Sequence, residues 1–139
     1  MASSNPNSWR SLLFIPAVAE RFVAKAHTRG ADVIILDLED SIPPSEKDAA
    51  RAALPGAAKT IAAHGQEICV RINRPLELAV PDIAAAIMPE VSSLMLPKVM
   101  GPEHIKLLSE VVAVREAALG MKIGHTRFIG VVETLDALP

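Results

Sequence analysis

The segment from Val33 to Asp40 constrains the fold most, because it joins an unbroken apolar run to three acidic residues. Consecutive aliphatic and β-branched residues are typical of a strand that is buried on both faces, as in a parallel sheet covered by helices. Carboxylates are not buried without partners, so Asp37, Glu39 and Asp40 must lie where the strand ends. In α/β barrels, that end of the strands carries the chemistry. The segment therefore predicts both a fold class and the place of a functional site.

The composition argues against several classes of function. The 139 residues carry a formal net charge of −2, with one Trp, three Phe and no Tyr, so neither charge nor aromatic content favours nucleic-acid binding. No apolar run approaches the roughly 18 residues that span a bilayer, and the first residues lack a signal-peptide profile. The single cysteine, Cys69, fits a reducing compartment, and its place in a strand predicts a small core residue. We therefore expect a cytoplasmic protein with no membrane partner.

Strand and helix signals alternate along the chain. Apolar runs closed by Pro or Gly predict five strands, at residues 11–15, 33–38, 68–73, 93–96 and 128–132. Helical segments lie between them, and the second predicted helix begins at a capping-box-like sequence after Pro43-Pro44 and is interrupted near Pro55. We expect residues 1–8 to form a disordered tail and residues 9–139 to form one folded unit. Strict alternation of this kind favours a parallel sheet with right-handed crossovers.

Two architectures fit five βα units: an open doubly wound sheet and a (β/α)₈ TIM barrel. Length alone favours the open sheet, because a barrel typically needs about 250 residues. A nucleotide-binding open sheet would carry a glycine-rich phosphate loop, however, and neither a Gly-x-Gly-x-x-Gly nor a Walker sequence follows any predicted strand. An open-sheet small-molecule binder is therefore the weakest of the functional hypotheses, and the choice of fold depends on the side chains at the strand ends.

Asp37 and Glu39 share one face of the second predicted strand, because alternate side chains of a strand point to the same side. A carboxylate pair of this kind could support a divalent cation or its bound water. It could equally be a strand-end cluster that pairs with Lys47 or Arg51 of the following helix. Both interpretations place the two acids at the same edge of the sheet.

Arg71, Lys98 and Glu133 are candidate site residues on the next three strands. Arg71 lies within an apolar strand, where a guanidinium is costly unless it meets an anion, and its planar fork suits a substrate carboxylate or phosphate. We favour substrate binding over an ion pair with Asp37 or Glu39. Lys98 could neutralise a substrate anion or extend into solvent. Glu133, at the end of the fifth strand, is a candidate Mg²⁺ ligand.

Two further groups carry weaker signals. Arg21 and Lys25 lie one helical turn apart and could hold a phosphate, although a solvated helix face is the equal alternative. The four histidines have no metal-ligand spacing, so we expect surface or capping roles for them: His27, His64, His104 and His125.

Taken in order, these motifs closely resemble the HpcH/HpaI aldolase and citrate lyase β-subunit family, in particular its CitE-like branch. The matching stretches are RSLLFIP (10–16), ERF with Lys25-Ala26 (20–26), ILDLEDSIPP (35–44) with Lys47 and Arg51, VRIN (70–73), LPKV (96–99) and VET (132–134). The resemblance covers nearly the whole chain after the first eight residues. Several spaced motifs in one order are more specific than any single motif.

The resemblance implies a (β/α)₈ barrel, of which about five βα units are present, and a Mg²⁺-dependent carbon–carbon lyase. Its substrates would be citryl-, malyl- or citramalyl-type oxo acids, often linked to CoA. The roles implied by position are Arg71 as a substrate clamp, Glu133 as a metal ligand that also meets substrate, Lys98 as a substrate contact, Asp37, Glu39 and Asp40 as support behind the metal, and Arg21 with Lys25 as contacts to a CoA phosphate.

One departure from the family pattern is important. The family's second metal ligand is an Asp on the strand after the one that carries the Glu, so we expect it beyond residue 139. Asp136 is too close to Glu133 to serve. The second functional hypothesis is therefore a catalytically inactive barrel fragment or subunit that acts through assembly with another chain. The resemblance implies that the full-length form is a homo-oligomer, either a trimer or a hexamer.

Overall fold

The computed structural model describes residues 8–138, so the predicted tail over residues 1–8 lies almost wholly outside the described part and stays a prediction. Strands and α-helices alternate in the described residues, as the sequence predicts. They are β1 (Leu12–Pro16), α1 (Glu20–Lys25), β2 (Val33–Asp37), α2 (Lys47–Ala62), β3 (Glu67–Arg71), α3 (Leu76–Ala86), β4 (Ser93–Leu96), α4 (Pro102–Ala118) and β5 (Arg127–Gly130). Short 3₁₀ turns occur at Ala26–Arg29, Pro44–Glu46 and Leu135–Ala137.

The strands form one parallel sheet in the order β1-β2-β3-β4-β5. Each strand lies beside its neighbours in the chain, whereas an open doubly wound sheet reverses its strand order at a switch point. Among the described residues, β1 and β5 do not pair with each other, so the barrel is not closed. The fold is therefore that of an α/β barrel, of which the described residues form five strands and four α-helices, and the motif-based choice of architecture is confirmed.

The helices cover one face of the sheet, which we call the convex face. Alternate strand residues such as Ile34, Leu36 and Leu94 point into this layer, and none is more than 1% exposed. The opposite face, the concave face, has a smaller buried cluster, formed by Val33, Ile35, Cys69 and Met95. Its edge is open, because Leu12 and Phe14 of β1 lie beside Val33 and Ile35 and remain 37% and 46% exposed.

Two local predictions about α2 are wrong. The helix continues through Pro55 without interruption. A proline inside a helix costs about 3 kcal/mol, but Pro55 lies on the exposed side, while Leu54 and Ile61 are buried against the sheet and hold the helix together. The predicted capping box is also absent, because the Pro44–Glu46 turn leads directly into α2 and no side chain caps the first turn.

Cys69 is fully buried in the concave-face cluster, which confirms the prediction of a small core residue. Burial raises the pKa of its thiol to about 11. A thiol that stays protonated is a poor nucleophile, so the cysteine packs rather than reacts. Across residues 8–138, no helix combines the length and the apolar character that crossing a membrane requires.

Candidate active site

The carboxyl ends of the strands meet at one rim of the sheet, and the predicted site residues gather there. Asp37 ends β2 and Arg71 ends β3, at directly opposed positions. Lys98 follows β4, and Glu133 follows β5. We call this group the mouth cluster, and its members are Asp37, Glu39, Asp40, Arg71, Lys98 and Glu133. Asp37 and Glu39, for which strand alternation predicts a shared face, lie beside the cations that follow or end the next two strands.

Asp37 and Arg71 form a bidentate ion pair. Arg71 Nε and Nη2 donate to the two carboxylate oxygens of Asp37 at 2.7 and 2.8 Å, and the Asp37 side chain is 1% exposed. Parallel bonds of this kind fix orientation as well as charge. The Arg71 guanidinium also lies 4.5 Å from the ring centroid of Phe14. The sequence-based alternative to substrate binding, an ion pair with Asp37, is thus present, and the substrate contact stays a prediction.

The third nitrogen of Arg71 is less engaged than the other two. Nη1 lies 3.4 Å from Glu39 Oε1 and 4.0 Å from Asp40, and neither contact has hydrogen-bond geometry. Nη1 is therefore the donor that Arg71 can offer to an incoming anion.

The Asp37 carboxylate stays ionised to low pH. Burial on its own would raise its pKa, but hydrogen bonds from Arg71, from Ser41 and from the backbone N–H of Glu39 outweigh it and hold the pKa at about 2. The hydrogen bond to Asp37 in turn raises the pKa of Arg71. This pair is consequently a fixed electrostatic element rather than a group that exchanges protons near neutral pH.

Lys98 connects the acids of β2 with the acid of β5. Its Nζ donates to Glu39 Oε2 at 2.6 Å and lies 3.7 Å from Asp40, while its backbone N–H donates to Glu133 Oε1 at 2.9 Å. The hydrogen bond to Glu39 raises the pKa of the ammonium group. Lys98 is thus paired with protein carboxylates rather than extended into solvent, and its predicted contact with substrate is untested.

In the described residues, Lys47 and Arg51 form no ion pair with the carboxylates of the mouth cluster, although the sequence allows such a pairing. Lys47 Nζ donates instead to the backbone carbonyls of Leu38 and Glu39, at 2.8 and 2.7 Å. Burial lowers the pKa of this ammonium group. Arg51 pairs instead with Asp82 and Asp48. Lys47 therefore acts on the shape of the loop that carries Glu39.

Sequence reasoning missed a buried polar network behind the rim. Asp82 of α3 is fully buried and accepts hydrogen bonds from Arg51 Nε and from both the backbone N–H and Nδ2 of Asn73, each at 2.7 Å. Asn73 Nδ2 also donates to the Leu38 carbonyl at 2.9 Å. One signal could have revealed it, namely an acid among the apolar residues in the middle of α3. The network ties α2 and α3 to the end of β2.

Arg21 and Lys25 are exposed on the six-residue helix α1, and Arg21 lies 5.5 Å from the ring of Phe22. Their contact with a CoA phosphate stays a prediction. Two of the expected surface or capping roles of the histidines are visible. His104 Nδ1 accepts the N–H of Met100 at 3.2 Å beside the start of α4, while the rings of His27 and His64 stack at the surface, 3.7 Å apart.

Residues 8–138 contain no group of three or more metal-ligating side chains, so the mouth cluster by itself is not a complete metal site. Four carboxylates face two cationic side chains here, which leaves an excess of negative charge. Glu39 Oε1 is buried and accepts no hydrogen bond, and a buried polar oxygen without a donor is costly. Glu133 is exposed, with one oxygen on the Lys98 N–H. A hydrated cation would supply the missing charge and the missing donors.

Comparison with solved structures agrees with this fold. A malate synthase from Haloferax volcanii superposes with a TM-score of 0.80 over 92% of this chain and 43% of its own, and at 19% identity the likeness concerns the fold. The citrate lyase β subunit of M. tuberculosis, solved in complex with oxaloacetate and magnesium, is 28% identical, with a TM-score of 0.55 over 86% of this chain and 56% of its own.

Sequence comparison gives the same relationship. A (3S)-malyl-CoA thioesterase from Cereibacter sphaeroides (strain ATCC 17025 / ATH 2.4.3) is 34% identical over 89% of this chain and 48% of its own length. The chain spans less than half the length of the first curated relatives that it matches. The family model described as HpcH/HpaI aldolase/citrate lyase matches residues 10–139. With the open barrel and its acidic mouth, these matches show that the chain belongs to the HpcH/HpaI aldolase/citrate lyase family.

Proposed function

We propose that this chain carries the first half of the active site of a Mg²⁺-dependent carbon–carbon lyase that acts on an oxo-acid or acyl-CoA substrate of the citryl, malyl or citramalyl type. The observation that carries the proposal is the buried Glu39 Oε1, which accepts no hydrogen bond and belongs to a cluster with three other carboxylates. The relative solved with oxaloacetate and magnesium supports this choice of ligands.

The residues of the mouth cluster divide into two groups in this proposal. Glu133, exposed at the end of the rim, would hold the cation directly, and Glu39 with Asp40 would accept hydrogen bonds from its water. When bound, Mg²⁺ stabilises the negative charge that develops on an enolate oxygen during cleavage next to a carbonyl group. The resemblance to the family implies a second protein ligand, an Asp on the strand after the one that carries the Glu. The protein's own contribution is a fixed acidic wall that needs no rearrangement as this charge develops.

Arg71 would orient the substrate by its carboxylate. Asp37 holds two of the three guanidinium nitrogens, so the plane of the group is set before any ligand arrives. Nη1 remains to bind one substrate oxygen, and a single well-placed charged donor is enough to fix which end of an oxo acid faces the cation. For a CoA-linked substrate, Arg21 and Lys25 are the cations that we propose for a phosphate contact.

The proposal is tested on the full-length form by cleavage of malyl-, citramalyl- and citryl-CoA, followed as release of the thioester product in the presence of Mg²⁺. Removing a group that binds the reacting centre costs roughly 100-fold or more, so we expect Arg71→Met and Glu133→Gln each to lower kcat/KM by at least about that factor. Glu103→Gln, on the exposed start of α4, is the control and should behave as wild type. Turnover that survives both mouth substitutions would overturn the site.

A second candidate is favoured by the open edge of the sheet. Leu12 and Phe14 remain partly exposed on the concave face, and β1 has one neighbouring strand in the described residues. Exposed strand edges are templates for pairing with another chain. In this alternative the chain is a catalytically inactive subunit that is completed by assembly. Measuring molecular mass and turnover on the same sample separates the two, because turnover by a monomer contradicts the inactive-subunit hypothesis.

A further inference from the structure

Glu67 lies at the end of the sheet opposite the mouth cluster, where the strands begin. It is the first residue of β3, the central strand, and strand alternation places its side chain on the concave face with that of Cys69. The side chain is 16% exposed. Because a largely buried carboxylate is costly without donors, the residues that donate to Glu67 show which parts of the sheet depend on it.

Two side chains from opposite edges of the sheet meet at this carboxylate. Trp9, which precedes β1, donates its Nε1–H to Glu67 Oε2 at 3.0 Å. Arg127, the first residue of β5, donates from Nη2 to Glu67 Oε1 at 2.7 Å. The Arg127 guanidinium also lies 5.4 Å from the centroid of the Trp9 ring, close enough for a cation–π contact. We call these three residues, Trp9, Glu67 and Arg127, the Glu67 strap.

The backbone connects each edge only to its neighbouring strand. At the β1 edge, the Val33 N–H donates to the Ser11 carbonyl at 3.2 Å, and at the β5 edge, the Arg127 N–H donates to the Ser92 carbonyl at 3.0 Å. Among residues 8–138, β1 and β5 do not pair with each other. The helices of the convex face also pack in chain order, α1 on α2, α2 on α3 and α3 on α4. The strap therefore links two edges that the backbone hydrogen bonds leave separate.

We propose that the Glu67 strap couples the two free edges of the sheet, so that β1 and β5 loosen or tighten together. Loss of the Arg127 guanidinium leaves the carboxylate largely buried without its cation and loosens its hold on the Trp9 indole, because the members of a partly buried network strengthen one another. Loss of the indole donor acts in the opposite direction, since thermodynamic coupling is reciprocal.

The coupling has a consequence for assembly. Exposed strand edges pair readily with further strands. A strand that pairs with one edge of this sheet would also steady the other edge through the strap, and the sheet would accept completing strands at both edges more readily than at either one alone. This inference does not depend on the proposed lyase activity.

Amide hydrogen exchange, measured by NMR on the ¹⁵N-labelled chain, reports the two edges separately. The amide of Val33 reports the β1 edge, and amide 127 reports the β5 edge. Each protection factor is divided by that of the Val70 amide at the centre of β3, so that a global loss of stability cancels. We expect Trp9→Phe to lower protection at amide 127, and Arg127→Met to lower protection at amide 33, each by at least about fivefold.

The combined variant Trp9→Phe, Arg127→Met completes a double-mutant cycle. Because both residues act through one carboxylate, the loss of protection at each amide should be smaller than the product of the two single losses. Glu67→Gln removes the charge and should lower protection at both amides. Lys106→Met, which removes an exposed ammonium from α4, is the control and should change neither.

The deciding result is the response of each edge to the substitution at the other. If amide 33 is unchanged in Arg127→Met, or amide 127 is unchanged in Trp9→Phe, the edges are independent and the proposal is overturned. Losses that multiply in the combined variant would overturn it as well. Arg127→Gln takes the place of Arg127→Met if that variant does not fold, with the same expected result.

Discussion

The two faces of this sheet are built from the same strands and have opposite properties. On β2, Ile34 and Leu36 point to the convex face and are completely buried under helices. On the same strand, Ile35 and Asp37 point to the concave face, where the apolar layer is thin and the rim is charged. Because successive side chains of a strand point to opposite faces, one residue of β2 can be buried in the apolar layer while the next contributes to the charged site. Substitutions on the two faces should therefore have different consequences.

The largest expected difference is between two leucines on opposite faces. Leu94 is fully buried on the convex face, and Leu12 is 37% exposed on the concave face. Leu94→Ala should lower the free energy of unfolding by about 3 kcal/mol, from lost burial and an unfilled cavity, whereas Leu12→Ala should cost under about 1 kcal/mol. Urea denaturation followed by circular dichroism measures both. Equal costs would show that the concave face is as well packed as the convex face.

The next effect concerns the ion pair at the rim. Arg71→Met leaves the Asp37 carboxylate buried without its bidentate partner, and such losses are strongly destabilising. Because the Arg71 side chain is 18% exposed, we expect about 2 kcal/mol, less than for a fully buried pair. The double variant Arg71→Met, Asp37→Asn should recover part of that cost. If the single variant is as stable as wild type, the pair contributes no net stability.

The dependence of the free energy of unfolding on pH below 5 tests the same ion pair. The folded-state pKa of Asp37 is about 2, below the roughly 3.9 of an unfolded carboxyl, so its contribution is present above pH 4 and is lost as pH falls through 2. Asp37→Asn should reduce the change in the free energy of unfolding across this pH range by about 2 kcal/mol. Thermal unfolding between pH 2 and pH 5 measures the slope.

An exposed pair provides the matched control for that profile. Hydrogen bonds from Arg10 lower the pKa of Asp32 to about 2 as well, but this pair is at the surface. In 0.5 M salt, the contribution of Asp32 should be screened, while that of Asp37 should persist. A slope that disappears in salt for both residues would mean that the rim is as solvated as the surface.

The smallest effect is expected for a helix-surface pair far from either face. Lys106 and Glu103 lie three residues apart on α4 at 2.9 Å, and both side chains are at least 70% exposed. Pairs of this kind contribute under about 0.5 kcal/mol. Lys106→Ala should therefore leave the unfolding midpoint almost unchanged, and a larger loss would point to an unrecognised contact on α4.

Local patterns in the sequence were sufficient for the strands and for the faces of the strands. The apolar run ending at Asp37 predicts β2 because burial on both faces demands it, and period-two alternation places Arg71 on the same face of its strand as Cys69. The fate of Pro55 could not be predicted in this way. Whether a proline breaks a helix depends on the packing of the opposite side, which is a tertiary property.

Pairings across the site were harder to predict than positions. The sequence identifies Arg71 and Lys98 as cations near acids, but which acid each one meets depends on strand register and loop shape. The Asp82–Asn73 network was missed because its members are nine residues apart and come from different elements. The positive φ of Lys98 has no sequence signal either, since glycine is the usual residue for that conformation. Specific contacts of this kind arise only when the fold is assembled.

The most direct measurement of the central claim is isothermal titration of the full-length form with Mg²⁺ in the presence of oxaloacetate. The account predicts saturable binding by wild type and by Glu103→Gln, and a loss of affinity of at least about tenfold in both Glu133→Gln and Arg71→Ala. Because Glu133 and Arg71 are on different strands, loss in both variants would place the ligand at the concave rim. Binding that is unchanged in the two variants would contradict the assignment of the mouth cluster as the functional site.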